Sequence, residues 1–200
     1  MHAQETLSYY NTNAKSFTDA TVNVDFSDVQ NKFLEKLNPG ACILDFGCGS
    51  GRDTRYFLEK AYLVEAMDGS EELCKLAESY TGIEVKHVLF QELQEVGKYD
   101  AIWACSSILH LPYAELTDVM KKMAIALKSN GLIYTSFKYG TFEGVRNGRY
   151  FVDMTEESLE KLLQNIQGLI MEESWVTSDV RPGRGEEKWL NVILQKADTV

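Results

Sequence analysis

Residues 41–53 read Ala-Cys-Ile-Leu-Asp-Phe-Gly-Cys-Gly-Ser-Gly-Arg-Asp: an apolar run, an acid, glycines at every second position, then a charged helix start. Ile43 and Leu44 suit a strand buried on both faces. Gly47, Gly49 and Gly51 let the backbone take positive φ and lie against a neighbour with no Cβ between them. A strand that enters a helix through such a turn is the first unit of an α/β sheet, with something small bound at the turn.

The spacing narrows the ligand. A dinucleotide turn has the form G-x-G-x-x-G and sets a pyrophosphate on the following helix N-terminus. Here the third glycine comes one residue early, Arg52 stands where the dinucleotide pattern has its last glycine, and the strand ends in Asp45, an anion poorly matched to a pyrophosphate. An acid there suits a cationic or hydroxyl-rich ligand. The next apolar strand, Ala61 to Met67, ends at Asp68, followed by Gly69 in a tight turn and Ser70 as the N-cap of a helix from Glu71 to Tyr80. An acid at the tip of the second strand is where ribose hydroxyls are gripped in this architecture, since its oxygens can accept from both.

Strand and helix continue to alternate. Asp53 to Lys60 reads as a helix, Glu84 to Leu89 and Tyr99 to Cys105 as strands, Ser106 to Pro112 as a turn, Tyr113 to Leu127 as a helix and Leu132 to Phe137 as a fifth strand. That alternation predicts a parallel sheet with helices on both faces and ligands at the carboxyl ends of its strands. After a helix from Glu156 to Asn165, strands from Leu169 to Thr177 and from Trp189 to Gln195 are separated by residues 178–188, too few for a helical crossover, so they pair antiparallel. A helix from Phe26 to Leu37 has Phe26, Val29, Phe33, Leu34 and Leu37 on one face. The length of 200 residues fits one domain.

With strands placed, residues Asp45 to Gly51 and Asp68 resemble the signature of the class I S-adenosylmethionine (SAM) dependent methyltransferases. The chain is similar to that family over nearly its whole length, and most of all to small bacterial members of the tellurite-resistance-like type. The resemblance implies a doubly wound, mostly parallel seven-stranded Rossmann-like sheet with a C-terminal antiparallel hairpin. It divides residues 1–200 into a helical cap (1–37), a nucleotide-binding core (38–137), and substrate loops with the hairpin (138–200). It also implies a SAM site, with S-adenosylhomocysteine (SAH) as product, made by Tyr10, Asp45, Gly47, Cys48, Gly49, Gly51, Arg52, Asp68, Gly69, Ser70, Phe90, Gln91, Ala104 and Cys105. Tyr10 covers the cofactor, and Phe90-Gln91-Glu92 stands where the family commonly has G-D-A beside the adenine.

Methyl transfer needs alignment and exclusion of water more than a reactive side chain. A base helps an amine or hydroxyl acceptor, and His110 at the tip of the fourth strand either serves there, as catalytic and acceptor-lining residue, or caps the next helix. Of the six arginines, Arg146, Arg149, Arg181 and Arg184 sit in two polar, glycine-rich stretches. Either these are solvated loops paired with Glu186 or Glu187, or Arg149 and Arg181, with Arg146, Lys138 and Tyr139, bind a carboxylate or phosphate of the acceptor. Trp175 and Trp189 pack in the core or wall that pocket. The net charge of −10 speaks against nucleic acid as partner. No stretch is apolar over a membrane span, the N-terminal residues lack a secretory pattern, and the four cysteines form no C-x-x-C pair and read as buried apolar groups. These point to a small-molecule acceptor, no membrane and the cytoplasm, with the oligomeric state open. The rival readings are a SAM-binding regulator or inactive partner subunit, and a nicotinamide-dependent oxidoreductase.

Overall fold

The computed structural model describes residues 2–197; the single-domain expectation over 1–200 also takes in Met1 and residues 198–200, which lie outside the described residues. The strands are Cys42–Phe46 (β1), Leu63–Asp68 (β2), Val85–His87 (β3), Tyr99–Ala104 (β4), Leu127–Lys138 (β5), Glu143–Arg146 (β6), Arg149–Val152 (β7), Leu169–Ser178 (β8) and Lys188–Lys196 (β9). The helices are His2–Thr21 (α1), Ser27–Leu34 (α2), Arg52–Glu59 (α3), Glu71–Thr81 (α4), Tyr113–Ala126 (α5) and Glu156–Leu163 (α6). Seven strands form one sheet in the order β3-β2-β1-β4-β5-β9-β8, parallel from β3 to β5 and antiparallel where β9 joins β5 and β8. This is the doubly wound, Rossmann-like sheet with a closing antiparallel hairpin that the sequence predicts. The chain direction across the sheet reverses between β1 and β4, which opens a crevice at their carboxyl ends.

Burial on both faces follows from the two-residue period of a strand. Leu44, Phe46, Ile102 and Ile133 point to one side, against α5 and α6; Ile43, Ala101, Trp103 and Tyr134 point to the other, against α2 and α3. Trp103 and Tyr134 stack at 3.9 Å between ring centroids, and Phe33 and Phe57 close over Trp103 from the two helices, each at 5.2 Å. Offset and edge contacts of this kind add to the burial of large rings.

A buried polar knot ties the same layer together. The Asp53 carboxylate accepts from Gln30 Nε2 (2.7 Å), Arg52 Nε (2.8 Å) and Nη2 (3.0 Å), and Trp103 Nε1 (2.8 Å). Burial alone would raise its pKa, but the Arg52 guanidinium and these donors leave it below the ordinary carboxylate value. Asp45 lies behind it, accepts from Thr54 Oγ1 at 2.5 Å, and is pushed up to about 8 by burial and by the charge of Asp53.

Four local features differ from the sequence reading. The chain before Phe26 is the long helix α1, whose Leu7, Tyr10, Ala14 and Phe17 keep helical spacing; interleaved Thr, Ser and Asn residues mask that face. The predicted helix from Phe26 stops at Leu34, after which the turns tighten to i→i+3 bonds ahead of Pro39. The stretch read as a loop around Gly144 is the hairpin β6–β7, turning at Asn147 (φ +51°) and Gly148 (φ +75°). Asn-Gly is the strongest short hairpin signal because both residues tolerate positive φ. In β5, Leu127 already pairs with Tyr99, residues 128–131 bulge out, and pairing resumes with Leu132 opposite Ala101.

Gly51 (φ +79°) starts α3, and a Cβ there would lie 2.8 Å from Thr81 Cγ2 and 3.3 Å from the Ala77 backbone. Gly51→Ala should therefore cost left-handed strain of about 1 to 2 kcal/mol and overpacking of about 1 to 3 kcal/mol. Gly40 (φ +74°) meets nothing within 4 Å, so Gly40→Ala should show the strain alone, and comparing the two denaturant midpoints checks the assignment. For Asp45, the unfolded chain ionises near the ordinary carboxylate value while the folded chain holds its proton up to about 8. Stability tied to this group is thus lost as pH rises through that window. Asp45→Asn, which keeps an acceptor for Thr54, should gain in melting temperature over the parent between pH 5 and 8; a constant difference would refute it.

Candidate active site

The crevice beyond the β1, β2, β4 and β5 ends is a deep cavity, roofed by α1 and the β6–β7 hairpin and bounded on one side by the β8–β9 loop. The glycine turn forms its floor. Gly47 and Cys48 both donate their N–H to the carbonyl of Met67, at 2.9 and 3.0 Å, which ties the turn to β2. A Cβ on Gly47 would lie 2.5 Å from Ser107 Cβ and 3.0 Å from Phe90, so this glycine answers to packing. Gly49 borders the cavity and faces Phe17 of α1.

Asp68 stands at the β2 tip on the cavity wall, oriented by the N–H groups of Gly49 (2.9 Å) and Ser70 (2.8 Å). Burial raises its pKa and these backbone donors oppose the rise. Two donors leave lone pairs on the carboxylate for a ligand. Beside it Leu7, Leu73, Leu89 and Phe90 make an apolar slot; Phe90 rests on Phe46 at 4.7 Å, and Gln91 is anchored to Glu115 at 2.7 Å. Arg52, fixed by Asp53 and lying over the Phe26 ring at 4.7 Å, reaches Cys105 Sγ at 3.9 Å and lines the opposite end.

Tyr10, His110 and Arg149 come together from three elements. His110 sits in a short 3-10 turn, Ile108–His110, with Nε2 2.8 Å from the Tyr10 hydroxyl and Nδ1 2.6 Å from the Tyr150 carbonyl oxygen. Burial pushes its pKa down to about 4, so the ring is uncharged at neutral pH. The position neither caps α5, which begins after Pro112, nor supplies a charged acid. Arg149 lies over the Tyr9 ring (4.6 Å), donates to the Tyr10 hydroxyl at 3.4 Å, and has its Nε buried with no hydrogen-bond partner among the described residues.

The other basic residues behave differently. Arg181 is bound bidentate to Asp179 (2.9 and 2.5 Å), Arg184 to Glu187, and Lys138 to Glu187 while lying 4.3 Å over Trp189. All three border the cavity with their charges answered: Arg184 by Glu187, as the paired-loop alternative expects, Lys138 by the same Glu187, and Arg181 by Asp179, which that alternative does not name. Tyr139 and Arg146 lie off the cavity: Tyr139 bonds Glu156 on the surface, and Arg146 pairs with Asp153 between Phe142 and Phe151. Asp45, Gly51, Ser70 and Ala104 also lie outside its lining. Asp45 faces Thr54, and Ser70 caps α4 while bonding Asn11 of α1 at 2.7 Å. Trp189 borders the cavity and Trp175 packs at the far layer toward Tyr134.

Several lining residues were absent from the sequence expectations. Phe17 belongs to the unread α1, where its spacing from Tyr10 was the available signal. Ser106 lies in the loop after the fourth strand where the family resemblance puts cofactor and substrate contacts, though it was not itself expected as a site residue; it holds φ +52° without being glycine, its N–H on Ser136 Oγ (2.9 Å), a strained tip of the kind found at functional sites. Asn191, from β9, carried no sequence signal.

Residues 43–131 match a family model described as a methyltransferase domain. The N-terminal Xaa-Pro-Lys N-methyltransferase 1-A of Xenopus laevis is 31% identical over 127 residues, covering 56% of each chain. The chain thus spans about half the length of the curated relatives of that kind. An uncharacterized methyltransferase of Staphylococcus carnosus is 25% identical over 166 residues, covering 76% of this chain and 80% of that one. The fold is shared with the 1,6-didemethyltoxoflavin-N1-methyltransferase of Burkholderia thailandensis, crystallised with 1,6-didemethyltoxoflavin and SAH, at a TM-score of 0.82 and 22% identity over 98% of this chain and 89% of that one. The tellurite-resistance-like subtype finds no support among these relatives. A methyltransferase domain is thus matched from β1 into the start of β5, and the sheet around it has the fold of the solved methyltransferase.

Proposed function

We propose that residues 1–200 act as one unit that binds SAM in this cavity and transfers its methyl group to a small, anionic acceptor. The observation that carries the reading is Asp68: a carboxylate presented at a strand tip by two backbone N–H groups, with acceptor capacity left over, beside an apolar slot. That set suits an adenosine and gives a pyrophosphate nothing to bind. SAM supplies an electrophilic methyl on a sulfonium.

In this reading Asp68 accepts from the ribose hydroxyls, while Leu7, Leu73, Leu89 and Phe90 enclose the adenine beside Gln91. Gly49, Cys48, Arg52 and Cys105 line the methionine end, and Tyr10 and Phe17 close over it, excluding water. Gly47 is part of this floor, and Asp45, Gly51, Ser70 and Ala104 hold it from behind. Arg149, with its unsatisfied Nε and aromatic supports, is the cation left to meet an anionic acceptor. Its neighbours Lys138 and Arg181 already answer Glu187 and Asp179.

A second reading takes a protein N-terminus as acceptor, favoured by the Xenopus laevis relative. Methyl transfer to a panel of small acids and to Xaa-Pro-Lys peptides separates the two. Loss of the ribose bonds in Asp68→Ala should weaken SAH binding by about 2 to 3 kcal/mol, from charge-assisted bonds of about 1.5 to 3 kcal/mol each; unchanged calorimetric affinity in a folded variant would remove the ribose assignment. Arg149→Ala should raise acceptor KM about tenfold or more, the loss expected for one charge-assisted contact of about 1.4 kcal/mol, with SAH affinity kept. Equal KM in both proteins would end the anionic-acceptor reading.

A further inference from the structure

The Tyr10 hydroxyl has its hydrogen-bond polarity fixed from behind. The Tyr150 carbonyl oxygen, 2.6 Å from His110 Nδ1, can only accept, so Nδ1 carries the proton. In the uncharged ring Nε2 is then a bare acceptor, and the Tyr10 hydroxyl at 2.8 Å donates to it. Arg149 Nη1, a donor only, takes one lone pair of the same oxygen at 3.4 Å. What Tyr10 offers the cavity is one lone pair and no proton.

We propose that Tyr10 selects the atom that is methylated: a conjugated nitrogen carrying a hydrogen, such as a ring N–H or an aromatic amine, oriented by donating that hydrogen to the Tyr10 oxygen. This deepens the methyl-transfer reading and rests on it. A carboxylate oxygen or thiolate in that place would set lone pair against lone pair. An alcohol would need a strong base, and His110 behind Tyr10 is a weak one. The His110, Phe151 and Tyr10 rings all border the cavity, packed edge-on against one another, and supply apolar contact around the acceptor.

The nitrogen lone pair forms the N–CH3 bond while the pair of the breaking C–S bond stays on sulfur. The proton made acidic by the charge on nitrogen passes to the Tyr10 oxygen as the phenol proton passes to His110 Nε2, and the imidazolium releases it to solvent. His110 acts through Tyr10 and is a positioning residue; Tyr10 is the catalytic one.

Two measurements test this. In protein with 15N-labelled histidine and SAH bound, long-range 1H–15N correlation at pH 7 should show His110 with Nδ1 protonated and Nε2 bare, and Tyr10→Phe should shift the Nε2 signal while SAH affinity stays within about threefold. A protonated Nε2 overturns the inference. The second uses SAM with a CD3 group and a small-molecule extract: the label should appear on a conjugated nitrogen, and Tyr10→Phe should lower kcat about tenfold or more at unchanged SAH affinity. A label on a carboxylate oxygen or on sulfur, or an unaltered kcat, overturns the inference and leaves methyl transfer standing. Wild-type protein that binds SAH yet labels nothing removes methyl transfer and this inference together.

Discussion

One carboxylate, Asp53, holds the working end of this molecule in register. It is buried, and its donors come from α2 (Gln30), from the first turn of α3 (Arg52) and from near the carboxyl end of β4 (Trp103). A buried charge is tolerable only when its lone pairs are met, and a network so satisfied rigidifies its surroundings. Trp103 passes the constraint on through its stack with Tyr134, whose hydroxyl bonds Asn191 of β9 at 2.7 Å. The helix that follows the glycine turn, the central strands and the closing hairpin are thereby fixed to one point. The same point aims the Arg52 guanidinium at the cavity.

The cavity lies at the edge of this rigid layer, and its chemistry is divided accordingly. The floor is made of backbone and short side chains from the carboxyl ends of β1, β2 and β4. The roof is made of longer groups from α1 and from the β6–β7 hairpin. A fixed floor suits a constant ligand, and variable loops over it suit a changing one. The charge pattern agrees: in a chain of net charge −10, cations at the rim are mostly neutralised within the rim itself, so Arg149 stands out by what it lacks.

The parts legible in the sequence are those written in short-range patterns. Alternation of apolar runs with helical faces gave the sheet, the eleven residues 178–188 gave its antiparallel closure, and the position of Asp68 gave the strand tip. Two elements were hidden. In α1 the buried face mixes Thr6, Tyr10 and Ala14 with apolar residues, so its period is faint; in β6–β7 the Asn147-Gly148 turn was present but the flanking strands are short. Side-chain direction was the other blind spot. Asp45 belongs to the expected motif, yet the pleat turns it toward Thr54. No spacing rule says that Arg181 would find Asp179 two residues away while Arg149 would find no carboxylate among the described residues.

The roof also joins distant parts of the chain. Thr6 Oγ1 accepts from the N–H of Tyr150, a bond between residues 144 apart in sequence, and Tyr10 meets His110 across another 100. Contacts so far apart form late, because the loop between them must first be closed. A chain emerging from the ribosome would therefore carry its first helix unmatched through most of synthesis, and the chamber would gain its ceiling only after the sheet beneath had taken shape.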